Sequence, residues 1–119
     1  MNEIVSYEKF LDGIRQIASK IQKDYKGRID SVYGISRGGL IPAVYLSHLL
    51  DVPVVEDDYI GKETLIIDDI CDSGQTLASY TYLGCVTATV YFHKQSIFEP
   101  DIWIYEKKDA WVQFPWEVK

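Results

Sequence analysis

Basic residues are scarce in this chain. Twelve Lys and Arg face eighteen Asp and Glu, for a formal net charge of -6, and only three of the bases are Arg. A duplex nucleic-acid binder presents a basic face to the phosphate backbone, so the balance argues against that class and against an anionic membrane surface. Cysteine is nearly absent. Cys71 and Cys85 stand at no metal-ligand spacing, which argues against a zinc motif or a disulfide scaffold and reads as two reduced thiols. Long apolar runs are missing as well: the most apolar stretch, Gly39 to Leu50, contains Pro42, Ser47 and His48. It falls well short of the roughly 20 apolar residues of a membrane span. Met1-Asn2-Glu3 has neither the basic start nor the apolar run of a signal peptide. The expectation is a soluble protein of the cytoplasm.

The 119 residues are 47% apolar and 25% charged, so a single globular domain over 1–119 with one real core is expected. Ser6 reads as an N-cap, and Phe10, Leu11, Ile14, Ile17, Ala18 and Ile21 follow at helical spacing. Ser31 to Ile35 reads as a strand, Ile41 to Leu50 as a helix with Pro42 in its first turn, and Val52 to Val55 as a strand. Thr64 to Ile67 is a continuous apolar run, as in a strand buried on both faces of a parallel sheet. A helix from Gln75 to Leu83 ending at Gly84, a strand from Val86 to Phe92 and a last strand from Trp103 to Tyr105 complete the pattern. Strands alternating with helices at this pitch predict a doubly wound, mainly parallel α/β sheet.

The segment Thr64 to Leu77, TLIIDDICDSGQTL, carries the most chemistry. A buried strand delivers Asp68 and Asp69 to its carboxyl end, where ligands of open parallel sheets bind. Asp72, Ser73 and Gly74 form a tight loop into a helix start at Gln75-Thr76, where backbone N–H groups suit a phosphate. Adjacent carboxylates accept hydrogen bonds from a ribose diol, so an acidic protein is able to hold a polyanion without a basic patch. Ile70 breaks the alternating acids of an EF-hand loop, and no glycine-rich run ends in Gly-Lys-Ser/Thr.

The segment resembles the signature of the type I phosphoribosyltransferases: four apolar residues, two acids, a short loop and Thr/Ser-Gly-x-Thr, with Ser73 in the Thr/Ser position. The resemblance implies a site for phosphoribosyl pyrophosphate (PRPP), with Asp68 and Asp69 on the ribose hydroxyls and Asp72, Ser73, Gly74, Gln75 and Thr76 around the 5-phosphate. Tyr33 to Ala43, YGISRGGLIPA, is similar to the family's pyrophosphate loop, with Ser36, Arg37, Gly38 and Gly39 as its core. Two glycines let the backbone approach a ligand, and Arg37 offers a planar fork to phosphate oxygens. By the same resemblance the Ser36–Arg37 peptide is expected to be cis.

Asp109 to Glu117 follows the Asp-x-Trp-x-x-x-Pro-Trp-acid pattern of the xanthine–guanine branch of that family. The resemblance implies a small C-terminal hood in which Lys94 faces the 6-oxo group of a purine, Trp111 stacks on it and the Val112 backbone bonds its edge. Trp116, His48 and His93 read as packing or surface residues. The implied reaction moves ribose-5-phosphate from PRPP to guanine, xanthine or hypoxanthine. Arg37 and Asp72 are its catalytic candidates, with Mg²⁺ as cofactor and Asp68 and Asp69 as indirect metal ligands. A homodimer or higher homo-oligomer is expected. One departure stands out: the interval that holds the family's long lid is only Glu56 to Lys62, seven residues. That keeps open a non-catalytic PRPP- or nucleotide-binding sensor on the same fold. A serine hydrolase is a further alternative, because Gly34-Ile35-Ser36-Arg37-Gly38 formally satisfies G-x-S-x-G, with His93 downstream.

Overall fold

The computed structural model describes residues 2–118. Helix α1 (Tyr7–Asp24) starts where the pattern places it: the Ser6 hydroxyl accepts a hydrogen bond from the Lys9 amide at 3.1 Å, a cap worth about 1 kcal/mol. The helix turns Phe10, Ile14, Ile17, Ala18 and Ile21 inward. Strands β2 (Ser31–Gly34), β3 (Thr64–Cys71), β4 (Thr87–Phe92) and β5 (Ile102–Glu106) form one parallel sheet in the order β2-β3-β4-β5. Helices α2 (Leu40–Leu50) and α3 (Gln75–Ala78) lie in the connections.

Val54 bridges Val32 on the free side of β2. The chain therefore leaves β2 toward one edge and returns across it to form β3 on the other side. Right-handed crossovers on either side of such a reversal put their helices on opposite faces and open a crevice at the carboxyl ends of the two strands. Two apolar clusters follow from this. Leu65 and Ile67 of β3 pack with Ile14, Ile17, Ala43 and Leu46 of α1 and α2. Ile66 packs with Leu77, Cys85 and Phe92, under a thin cover that includes Tyr80, Leu83 and Phe98. β3 is the doubly buried strand its composition predicts, and it continues past Ile67 through both aspartates to Cys71.

Two expectations are corrected, and one strand pairing is new. Val52 to Val55 makes only the single bridge at Val54, because Pro53 has no N–H to donate; its carbonyl accepts from Val32 N at 2.9 Å instead. Gln75 to Leu83 is not one helix but a four-residue turn of α-helix followed by a 3₁₀ turn, Thr81–Leu83, closed by Gly84 at φ 73°. The Ser79 and Thr81 hydroxyls donate to the Thr76 and Ala78 carbonyls at 2.6 and 2.8 Å, capturing the acceptors that a longer helix needs. Finally, β1 (Asn2–Ile4) and β6 (Trp111–Gln113) pair in parallel as a separate two-stranded sheet. Glu3 of β1 is fixed from below, accepting from Lys9 Nζ at 2.9 Å and from the hydroxyl of buried Tyr91.

Candidate active site

After β2 the chain passes through Ile35, Ser36, Arg37, Gly38 and Gly39 into α2. Ile35 N donates to Ile67 O of β3 at 3.0 Å, which pins this loop beside the acidic end of its neighbour. The Ser36–Arg37 peptide is cis. Gly38 lies against the Asp69 carboxylate so closely that a Cβ there would overlap both carboxylate oxygens. Ser36 and Arg37 are exposed at the mouth of the crevice.

Each aspartate on β3 folds one oxygen back onto the chain. Asp68 Oδ1 accepts from Asp69 N at 2.8 Å, and Asp69 Oδ1 accepts from Ile70 N at 2.7 Å. Burial, reinforced by the neighbouring Asp69 charge, pushes the Asp68 carboxyl up to about 8, and burial pushes Asp69 up as well. Among the described residues, these two backbone amides are the hydrogen-bond donors the pair meets, and no Lys or Arg forms an ion pair with it.

Beyond Cys71 the loop is stapled to the segment after β4. Ile97 N donates to Ser73 O at 2.9 Å, and Cys71 Sγ lies 3.2 Å from both Ser96 Oγ and Phe98 O. Gly74 takes φ 87°, and a side chain there would meet the Ser96 hydroxyl. Asp68, Asp72, Ser73, Gly74 and Thr76 enclose a cleft of about 120 Å³. Because α3 is a single turn, its macrodipole contributes little at this cleft. Of its N–H groups, that of Gln75 donates to Ser73 Oγ at 3.3 Å and that of Ala78 to Gly74 O at 3.0 Å, which leaves those of Thr76 and Leu77 without a carbonyl partner within the helix.

The carboxyl ends of β3, β4 and β5 are in register at Cys71, Phe92 and Glu106. The next residues along, Asp72, His93 and Lys107, form a row. His93 Nδ1 and Lys107 Nζ each lie 3.5 Å from Asp72 Oδ1, and His93 Nε2 lies 3.5 Å from Asp109 Oδ1. His93, read from sequence as packing, thus lies between two carboxylates. Lys107 drew no notice there because its role depends on cross-strand register. The signal that finds them is the residue one past each strand end. His93 is turned to these acids, so the Ser–His pair of a hydrolase is not assembled.

The other predicted residues are spread over the hood. Lys94 is exposed and faces Glu106 at 3.7 Å. Trp111 is 60% exposed on β6, whereas Val112 is buried in the core. Trp116 packs as expected, stacked on Phe114 with ring centroids 4.9 Å apart.

No family model matches the chain. Among curated proteins it is similar to the xanthine-guanine phosphoribosyltransferase of Nitratidesulfovibrio vulgaris, 31% identical over 116 residues that cover 77% of this chain and 71% of that protein. The chain belongs to the type I phosphoribosyltransferases, in their xanthine–guanine branch. The phosphoribosyltransferase likeness extends to the enzyme of the same name from Cereibacter sphaeroides, 29% identical with 96% of this chain and 86% of that protein covered. Among solved structures, the purine phosphoribosyltransferase from Pyrococcus horikoshii superposes with a TM-score of 0.85 at 26% identity, over 99% of this chain and 95% of that one. The Helicobacter pylori xanthine-guanine-hypoxanthine phosphoribosyltransferase gives 0.84 at 20% identity, a likeness of fold.

Proposed function

We propose that this phosphoribosyltransferase moves the 5-phosphoribosyl group of PRPP to a 6-oxopurine (guanine, xanthine or hypoxanthine) with release of pyrophosphate. The observation that carries the reading is the packing of Asp69 against Gly38, with Asp68 lining the adjoining cleft beside Asp72, Ser73, Gly74 and Thr76. Half-buried carboxylates that each have one oxygen held by a backbone N–H are suited to a ribose diol, which supplies two further donors. Ser73, Gly74, Gln75 and Thr76 would hold the 5-phosphate, while Ser36, Arg37, Gly38 and Gly39 would hold the pyrophosphate.

In the reaction a purine ring nitrogen bonds to the anomeric carbon as its bond to pyrophosphate oxygen breaks, and the electron pair leaves with pyrophosphate. Positive charge develops on the sugar, so catalysis is alignment and charge management. Arg37 neutralises the departing anion. Asp72 accepts the proton that the purine imidazole loses. Trp111 stacks on the base, Lys94 approaches its 6-oxo group and the Val112 backbone reads its edge.

Among the described residues, no three His, Cys, Asp or Glu side chains gather into a metal site. Two hard carboxylates nevertheless fit Mg²⁺ that takes its other ligands from substrate and water, with Asp68 and Asp69 acting through the ribose oxygens. Bound there, Mg²⁺ would neutralise pyrophosphate charge. Cytoplasmic location fits the two buried free thiols, and a homo-oligomer fits the exposed Leu40, Val44 and Leu49 of α2.

Incubation with Mg-PRPP and mixed purines, read by mass spectrometry, tests the proposal: a nucleoside monophosphate mass is expected. The sensor reading is favoured by Glu56 to Lys62, which forms only a 3₁₀ turn, Asp57–Tyr59, where a lid would exclude water. PRPP binding with no product and no PRPP loss would overturn the transferase in its favour.

A further inference from the structure

We propose that His93 and Lys107 are positioning residues that hold Asp72 by Oδ1 and leave Oδ2 to take the purine proton. The inference rests on the transferase reading and adds two residues to it.

The backbone makes the arrangement. His93 N donates to Cys71 O at 2.9 Å and Lys107 N donates to Phe92 O at 2.8 Å, continuing the parallel ladder one step beyond β3, β4 and β5. That step sets Asp72, His93 and Lys107 side by side. Both neighbours reach the same oxygen, Oδ1, at 3.5 Å. These are ion-pair distances with room to shorten when the site fills, as contacts in ligand-free sites commonly do. The Asp72 side chain is 61% exposed, so a carboxylate on this loop would otherwise sample several rotamers. Lys107 is the reverse case, a lysine whose side chain is only 13% exposed. Its ammonium meets the Lys108 carbonyl at 3.4 Å and Asp72 at 3.5 Å, so that Asp72 supplies the counter-charge a largely covered lysine needs. The far side of the imidazole faces Asp109, two residues before Trp111, so the grip on Asp72 is tied to the segment that would stack on the base. With Oδ1 covered on both sides, Oδ2 is the oxygen left for chemistry, and its direction is set by neighbours rather than by the loop.

A double-mutant cycle between Asp72 and each neighbour tests this. Lys107→Met should lower kcat about 10- to 100-fold with PRPP affinity unchanged, and Lys107→Arg should restore most of it. In an Asp72→Asn background, Lys107→Met should change kcat by less than about 2-fold, since the group it positions is gone. His93→Gln should behave in the same way, and Lys107→Gln serves if the Met variant does not fold. A full loss persisting in the Asp72→Asn background, or wild-type turnover in Lys107→Met, would overturn the proposal. If the native chain makes no nucleotide, the transferase reading fails on its own account, and the contact is then read by imidazole ¹⁵N NMR. With only two histidines, His48 is the internal control. Asp72→Asn should move the His93 ring resonances and leave those of His48 in place, whereas unmoved His93 resonances would overturn the contact.

Discussion

Gly38 and the Asp69 carboxylate occupy adjoining space with no room for a methyl group between them. The loop after β2 and the acidic end of β3 are therefore one packed unit. Gly38→Ala must push Asp69 aside or distort the loop. The expected loss is about 1–3 kcal/mol, the usual range for overpacking, together with loss of PRPP binding. Urea denaturation and calorimetric titration with Mg-PRPP check it. Unchanged PRPP affinity would separate the loop from the acids.

The acidic pair makes the stability of the ligand-free protein depend on pH. Asp68 and Asp69 hold protons more tightly folded than unfolded, so their contribution is complete below the unfolded value of about 4. It is lost as pH rises through the folded value, about 8 for Asp68. Stability should fall across that window, by up to about 1.4 kcal/mol per pH unit for one full proton. Asp68→Asn should flatten the slope in urea midpoints measured from pH 5 to 8. A slope identical to that of the native chain would dismiss Asp68 as its source.

Asp72→Asn removes the proton acceptor and keeps the shape. Transfer should slow by roughly 10²–10⁴ while PRPP affinity changes little. Steady-state kinetics beside PRPP titration distinguish this from a binding defect, and turnover within a few-fold of native would exclude the assignment.

Trp111 is mostly exposed, so Trp111→Ala should leave the melting temperature nearly unchanged. Loss of base stacking, worth about 1–3 kcal/mol, should raise KM for the purine about 10- to 100-fold. Purine-concentration series at saturating PRPP measure it. A large fall in melting temperature with unaltered KM would make Trp111 a packing residue.

Much of this was readable in the residues themselves. The apolar run at Thr64 and the acids behind it locate β3 and its carboxyl end, because a doubly buried strand leaves no alternating pattern to confuse. The Ser6 cap and the stripe from Phe10 to Ile21 locate α1. What escaped had local causes in two segments and non-local geometry in the rest. Pro53 reduced a β-branched segment to one bridge, and hydroxyls at Ser79 and Thr81 broke a helix whose spacing looked sound. Three-residue strands at Asn2 and Trp111 are too short to show a period. His93 and Lys107 lie fourteen positions apart, and only the register of three strands makes them neighbours of Asp72.

The pairing of Asn2 with Trp111 has a consequence for motion. It joins positions 109 apart in the chain, the kind of contact that costs the most loop entropy to close. It does so through three residue pairs only, a short ladder of the kind that opens locally at low cost. The platform on which a purine would lie thus hangs on a three-residue ladder, while the sugar and phosphate contacts sit at the end of an eight-residue strand paired on both sides. Amides of Val112 and Gln113 should exchange with solvent well before those of Ile66 and Ile67. The exit of a finished nucleotide would then be timed by the opening of a single long-range strand pair.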